Sequence, residues 1–286
     1  MTKIDWCDIT INPFTGCRGG CSWCYARRMA RRLGSIPGSV YERVKNSGID
    51  EDPFEVAFHW DVLQREQERL TKYRRGGMHA GYTVRPRRVF VGSMGDMCFK
   101  GTARSFGGNG ERFSDLFTLE VQNETAKWSE RVGAAGHTVL LLTKRPDLLS
   151  LNIRWPANVH LGVSVTSNAD TERIATLLDK VRVMREQVGP SCLGGKRGPS
   201  VLWASVEPLL DTVFDPDLLA GLDWVVVGFQ TGPGASDAWP MIAAARRIVS
   251  WCADYGVPCF VKDNARRWTL GPSTAWEWPR QFPVQR

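Results

Sequence analysis

The chain has 286 residues, 43% of them hydrophobic and 23% charged, proportions that exclude a disordered chain, a fibrous repeat and a small peptide-like scaffold. Its 37 Lys and Arg against 30 Asp and Glu leave a formal charge of +7, which permits a polyanionic partner without requiring one. No apolar run approaches the roughly 18 residues of a membrane helix, and residues 1–6 are polar where a secretory signal would be apolar, so a soluble, cytoplasmic protein with reduced thiols is expected.

Short apolar runs bounded by Gly, Pro and polar residues predict strands over 4–11, 88–92, 138–143, 160–165, 201–206, 224–228 and 258–262. Most are rich in Val, Ile or Leu without strict alternation, as parallel strands covered on both faces should be. Between them, 171–188 and 240–255 repeat apolar residues at helical spacing, Ile174, Leu177, Leu178, Val181 and Met184 in one and Ile242, Ala245, Ile248, Val249 and Cys252 in the other. Repeated strand–helix units predict an α/β protein, a partial or closed (β/α) barrel over 1–265, with a doubly wound sheet as the competitor. The segments 34–52, 74–87, 99–112 and 189–199 read as loops or insertions. The tail 266–286, with Trp268, Trp276, Trp278 and Phe282, is expected to pack as a cover, because several Trp do not stay in water.

The first predicted strand is followed by Cys17-x3-Cys21-x2-Cys24 in a loop rich in Gly. Thiolates bind soft metals and iron–sulfur clusters, and Gly lets three sulfurs converge while backbone amides face them. A structural zinc site wants four closed ligands, and no second Cys pair or His lies nearby in sequence. An iron–sulfur cluster held by three residues keeps one iron open. Cys7 is the nearest fourth candidate, placed by the strand prediction inside the first strand, where it reads as a small apolar residue. Cys98, Cys192, Cys252 and Cys259 are dispersed and read as free thiols.

This cysteine spacing after the first strand, with Trp23 before the third Cys, resembles the radical S-adenosylmethionine superfamily. The resemblance implies a [4Fe–4S] cluster on Cys17, Cys21 and Cys24, with S-adenosylmethionine on the open iron, reductive cleavage of a carbon–sulfur bond, and hydrogen-atom abstraction from a substrate by the 5′-deoxyadenosyl radical. It further implies a flavodoxin- or ferredoxin-like reductant. Trp6, Thr10-x-Asn-Pro-x-Thr-Gly-Cys17, Phe90-Val-Gly-Ser-Met94 with Asp96, Leu142-Thr-Lys-Arg-Pro146, Leu161-Gly-Val-Ser-Val165, Ser205-x-Glu-Pro-Leu-Leu210 and Trp224-Val-Val-Val-Gly228 follow in order. Together they are similar to an uncharacterised radical S-adenosylmethionine family of phages and prophages.

On that resemblance Gly92, Ser93, Met94 and Asp96 are expected to meet the amino group of S-adenosylmethionine, Lys144 and Arg145 its carboxylate, and Ser164 and Thr166 its ribose, with Gly228 also lining the cofactor. Each has a plain alternative: a strand-ending turn, a solvated basic turn, or hydroxyls that cap a loop. Glu207 ends an apolar strand, where a carboxylate is costly unless paired or used, and its expected partner is Lys144, Arg145 or the substrate. Gln230 stands where the family tends to carry a carboxylate, and 262–264 departs from the family's Lys-Gln-Trp-Gly. Glu207, Lys144 and Gln230 are the catalytic candidates. Basic groups at Arg27, Arg28, Arg31 and Arg32, at Lys72, Arg74 and Arg75, and at Arg85, Arg87 and Arg88 would suit a phosphate backbone, and the phage resemblance points to a base in DNA or a nucleotide as substrate. A radical enzyme acting on a small molecule or peptide, and a non-enzymatic iron–sulfur or zinc nucleic-acid-binding protein, are the alternatives.

Overall fold

Runs such as Val201-Leu-Trp-Ala-Ser-Val206 bury every side chain, which forces the flanking backbone into ladders with neighbours on both sides. In the computed structural model of the protein, which describes residues 4–48, 51–72, 85–108, 111–112, 114–187, 198–212, 214–231, 239–266 and 279–283, the elements in chain order are β1 (Ile9–Ile11), β2 (Phe14–Thr15), α1 (Tyr25–Leu33), α2 (Val40–Ser47), β3 (Ala57–His59), α3 (Trp60–Thr71), β4 (Arg88–Val91), β5 (Thr102–Phe106), β6 (Leu116–Phe117), α4 (Thr118–Gly133), β7 (Thr138–Thr143), β8 (Val159–Val165), α5 (Glu172–Gln187), β9 (Val201–Val206), β10 (Trp224–Val227), α6 (Trp239–Asp254), β11 (Cys259–Val261) and α7 (Asp263–Arg266). A seven-stranded sheet has the order β1-β4-β7-β8-β9-β10-β11 and a four-stranded sheet the order β2-β3-β5-β6. In the larger sheet the pairs β1–β4, β4–β7, β8–β9, β9–β10 and β10–β11 are all parallel.

The strand order of the larger sheet rises in sequence from one end to the other. A doubly wound sheet reverses its order at a switch point, so that competitor is set aside, and the order is compatible with a partial barrel. The described chain falls into two compact units, one built mainly from 7–141 with 148–159, the other from 142–147 and 160–286 with the segment ending at Trp6. In the first, Trp128 is fully buried on α4 and its indole N–H donates to the Leu63 carbonyl on α3 at 3.1 Å. In the second, Trp6 meets Trp203 and Trp224 edge-on with ring centres 5.1 and 6.1 Å apart. Gly162 on β8 makes room for that cluster: a Cβ there would lie 2.5 Å from the Trp203 ring.

Several sequence expectations need correction. The first strand begins at Ile9 rather than residue 4, so Cys7 precedes it, buried. The segment 34–52 contains α2, capped by the Ser39 hydroxyl on the Glu42 N–H, and 99–112 contains β5. Most of the expected loops 74–87 and 189–199, with Arg74, Arg75 and Cys192, and the Trp268, Trp276 and Trp278 of the tail lie outside the described residues. The described stretch 279–283 runs along β11, with Val261 N–H donating to Pro279 O and Gln281 N–H to Cys259 O, both at 2.9 Å, and Phe282 against Phe260. No helix among the described residues is long and apolar enough to cross a membrane.

Two buried histidines make stability depend on pH. Burial, helped by the charge of Arg43, lowers the His59 pKa to about 3, and burial alone lowers that of His160 to about 4. Because these folded values lie below the unfolded value of about 6.5, the unfolded chain binds protons first as pH falls. The stability is therefore full above about 6.5 and is lost as pH drops towards 4, at on the order of 1 kcal/mol per pH unit for each His. Urea denaturation at pH 7 and pH 5 should show this slope, and a His59→Gln/His160→Gln double variant should flatten it. An unchanged slope in the double variant would refute the assignment.

Candidate functional site

The cysteine loop leaves β2 of the first unit and ends at α1. Cys24 is the N-cap of α1, its sulfur accepting the Arg27 N–H at 3.4 Å, and the Cys17 sulfur accepts the Gly19 N–H at 3.2 Å. A Cβ on Gly19 would lie 3.3 Å from the Cys17 sulfur and 3.9 Å from that of Cys21, so both sulfurs face the space the missing side chain leaves. Burial first, and the Asp96 carboxylate second, push the Cys17 thiol up to about 11. A metal taken up there must therefore displace a proton. Among the described residues no group of three or more His, Cys, Asp or Glu is gathered as around a metal ion. The donor set itself fits a cluster: three soft sulfurs, two already accepting backbone N–H groups, in a loop opened by Gly19 and Gly20.

The segment 92–96, expected at the cofactor's amino group, grips this loop. Asn12 Oδ1 accepts from the Ser93 hydroxyl at 3.1 Å and the Met94 N–H at 3.0 Å. Gly16 N–H donates to Met94 O at 3.0 Å, and Asp96 N–H to Gly16 O at 3.2 Å. The space a Cβ of Gly92 would need, with φ +87, is filled by the Phe14 ring, whose Cε2 would be only 2.0 Å away. Met94 packs in a buried cluster with Ala26, Ala30, Tyr41 and Phe54, against which Cys17 and Cys24 lie. Asp96 is buried, with Oδ1 accepting the Cys98 N–H at 3.0 Å. From the other side Arg18 donates to the Lys100 carbonyl and, at 3.1 Å, to that of Thr102. Phe14, Asn12 and Arg18 were not among the expected site residues; Asn12 was signalled by its place before Pro13.

In the second unit, the residues just past β9, β10 and β11 form a row. Glu207 N–H donates to Val165 O at 3.1 Å, Gly228 N–H to Val206 O at 3.1 Å and Lys262 N–H to Val227 O at 2.9 Å. Glu207 pairs with Lys262, not with the Lys144 or Arg145 suggested by sequence. Gly228 makes room for the pair, since its Cβ would sit 2.9 Å from Lys262 Cδ and 3.0 Å from Glu207 Cδ. Lys262 was missed as a site residue, although it ends an apolar strand as Glu207 does. Gln230 is half-buried beyond Phe229.

Arg145 spans Asp147 with two bonds of 2.9 and 2.6 Å, and Lys144 beside it is half-buried. The Thr166 hydroxyl and N–H both engage Asp170, the latter at 2.9 Å, which caps the turn leading to α5. Ser164 is buried, and its carbonyl accepts from Arg173 at 3.0 Å.

The Glu207–Lys262 pair is largely withdrawn from water, with side chains 24% and 13% exposed. Glu207→Met or Lys262→Met alone should cost about 1–3 kcal/mol, because each strands a charge, while the double Met variant should recover most of that loss. A double-mutant cycle in urea checks the sign, and additive single effects would show the pair to be uncoupled.

The profile of a protein family of unknown function, DUF5131, matches residues 1–106, a span that holds the cysteine loop and the segment gripping it. No curated protein and no solved structure matches the chain.

Proposed function

We propose that the protein is a radical S-adenosylmethionine enzyme in which Cys17, Cys21 and Cys24 hold a [4Fe–4S] cluster. The carrying observation is the cysteine loop itself: sulfurs of Cys17 and Cys21 facing the space beside Gly19, and Cys24 capping α1. When bound, the cluster and S-adenosylmethionine would supply one-electron cleavage of the sulfonium and a hydrogen-abstracting 5′-deoxyadenosyl radical. The chain's own residues do the positioning. Gly92 to Asp96 and Asn12 fix the loop, and the buried Asp96 carboxylate stands within electrostatic reach of Cys17.

Of the basic residues proposed for the cofactor's carboxylate, Arg145 spans Asp147 and would have to exchange partners, and Lys144 beside it is half-buried. Thr166 is committed to Asp170, so Ser164 is the hydroxyl to test first at the ribose. We propose a nucleic-acid base or nucleotide as substrate. The charge of +7 suits its phosphates, and the Glu207–Lys262 pair sets an acceptor beside a donor, as recognition of a polar ring requires.

Anaerobic reconstitution with iron and sulfide should give a brown protein with about one [4Fe–4S] cluster. Reduction in the presence of S-adenosylmethionine should then release 5′-deoxyadenosine. Zinc in place of the cluster, or no 5′-deoxyadenosine, would reject the reading in favour of a non-catalytic metal-bound module. Comparing nucleosides from cells with and without the active protein identifies the substrate: an altered nucleoside supports the base, and an unaltered set with cofactor cleavage intact points to a small molecule or peptide.

A further inference from the structure

Ser205 lies on β9 two residues before Glu207, so the two share a face of the strand and stand about 6–7 Å apart along it. Ser205 is 2% exposed, and among the described residues nothing makes a hydrogen bond with its hydroxyl. A hydroxyl so withdrawn from water normally has a partner, because leaving it without one is costly. The indoles on the same face do not serve it: Trp203 donates to His160 O at 3.2 Å and Trp224 to Gln281 O at 3.0 Å. Its register partner on β10, Val226, is apolar.

Across the sheet from Glu207 stands Lys262, joined to it as an ion pair, with Gly228 between them leaving room. The backbone beside the pair is fixed. Asn264 Nδ2 donates to Phe229 O at 2.7 Å and Asn264 Oδ1 accepts the Phe229 N–H at 3.4 Å, while Asp263 N–H donates to Asp5 Oδ2 at 2.7 Å. Lys262, Glu207 and Ser205 therefore follow one another as donor, acceptor and donor, the last a hydroxyl whose hydrogen can turn to suit. The ion pair carries no net charge, so a phosphate or carboxylate would face Glu207 and an ammonium would face Lys262. A neutral group meets neither objection.

From these observations we infer that Ser205 is a specificity-determining residue, and that with Glu207 and Lys262 it reads the edge of a cyclic imide, the carbonyl, ring N–H and carbonyl found in uracil and thymine. The inference deepens the proposed function and rests on it for a base as substrate. Lys262 Nζ donates to one carbonyl, Glu207 accepts the ring N–H, and Ser205 donates to the second carbonyl. Cytosine can satisfy Lys262 with its ring nitrogen and Glu207 with its amino group, but it then turns a C–H towards Ser205 and leaves the hydroxyl unpaired. Sites built to hydrogen-bond a ligand discriminate against that kind of loss. Ser164, the register partner of Ser205 on β8, is the hydroxyl proposed for the cofactor's ribose, so the imide would lie beside the cofactor.

The test is calorimetric binding of nucleosides to the reconstituted full-length protein, which needs no radical chemistry. Thymidine should bind about tenfold more tightly than cytidine, and N3-methylthymidine, which lacks the ring N–H, about tenfold or more weaker than thymidine. In Ser205→Ala thymidine should weaken about three- to tenfold and the preference over cytidine should shrink towards parity. The urea midpoint of that variant should hold or rise, since the lost hydroxyl has no partner in the protein; a serine of merely structural importance would lower the midpoint and leave the preference alone. Equal binding of thymidine and cytidine, or of thymidine and N3-methylthymidine, would overturn the inference. So would tightest binding of guanosine or adenosine, displacement of thymidine by inorganic phosphate, an unchanged preference in Ser205→Ala, or no binding of any nucleoside. If those failures come with S-adenosylmethionine cleavage intact, the imide site is wrong and the radical enzyme stands. If no cluster is taken up while the nucleoside ranking and its loss in Ser205→Ala are seen, the imide site stands and the radical reading falls.

Discussion

Replacing Cys17, Cys21 or Cys24 by Ala is expected to abolish cluster uptake and to bring 5′-deoxyadenosine formation down to the protein-free background, each substitution alone being sufficient. In a cubane held by three thiolates every sulfur secures its own iron, so no remaining pair can substitute. Cys252→Ala should leave both readouts intact, because Cys252 is buried on α6 beside Cys259, with no link to the loop. The contrast has to be chemical and not a matter of folding. Cys17 and Cys24 are only partly buried at the edge of their apolar cluster, so losing one sulfur should cost about 1 kcal/mol and move the urea midpoint little. Absorbance near the sulfide-to-iron bands, iron content and chromatography of the cleaved nucleoside are measured on the same preparations. Loss of all three readouts in Cys252→Ala as well would mean a general loss of structure, and retention in Cys17→Ala would remove that residue from the ligand set.

The parallel strands were legible because a run such as Trp224-Val-Val-Val227 is apolar on both faces, rich in β-branched residues and too short for a helix. Six of the seven were placed within a residue or two, and the first was overextended because Ile4 and Trp6 are apolar too. The smaller sheet was not legible. Its strands are as short as Phe14–Thr15 and Leu116–Phe117, too brief for periodicity to register. In β5 the polar Arg104 sits where an apolar residue would have advertised burial, and it is tolerated there because it pairs with Glu55 at 2.8 Å.

The candidate site divides in the same way. The cysteines announce themselves by local spacing, whereas Glu207 and Lys262 meet through strand register across 55 residues of chain, a relation no local pattern encodes. At Gly92 the residue type was informative, and the structure supplies a packing reason for it. The glycine is required by a close approach, and the approaching group is the Phe14 ring.

Glycines of one loop should differ sharply in what they tolerate, and Gly16 against Gly20 isolates the cause. Both have positive φ, +80 and +67, so an Ala at either position incurs the left-handed penalty of about 1–2 kcal/mol. Around Gly20 nothing lies within 4 Å of the added Cβ, while at Gly16 it would meet the carbonyl oxygens of Glu55 at 2.3 Å and Phe54 at 2.6 Å. Those are backbone atoms and cannot rotate aside. Gly16 is also held by its own N–H on Met94 O and its own carbonyl under the Asp96 N–H, so relief requires breaking the hold of 92–96 on the loop. Gly16→Ala should therefore cost roughly 3–5 kcal/mol and displace Cys17, which loses cluster uptake even in the folded fraction. Gly20→Ala should cost only the conformational penalty and still take up iron. Urea midpoints and iron content of the two variants decide the matter. Equal destabilisation would mean that backbone conformation, and not the packing of 54–55 against Gly16, is what holds the cysteine loop in place.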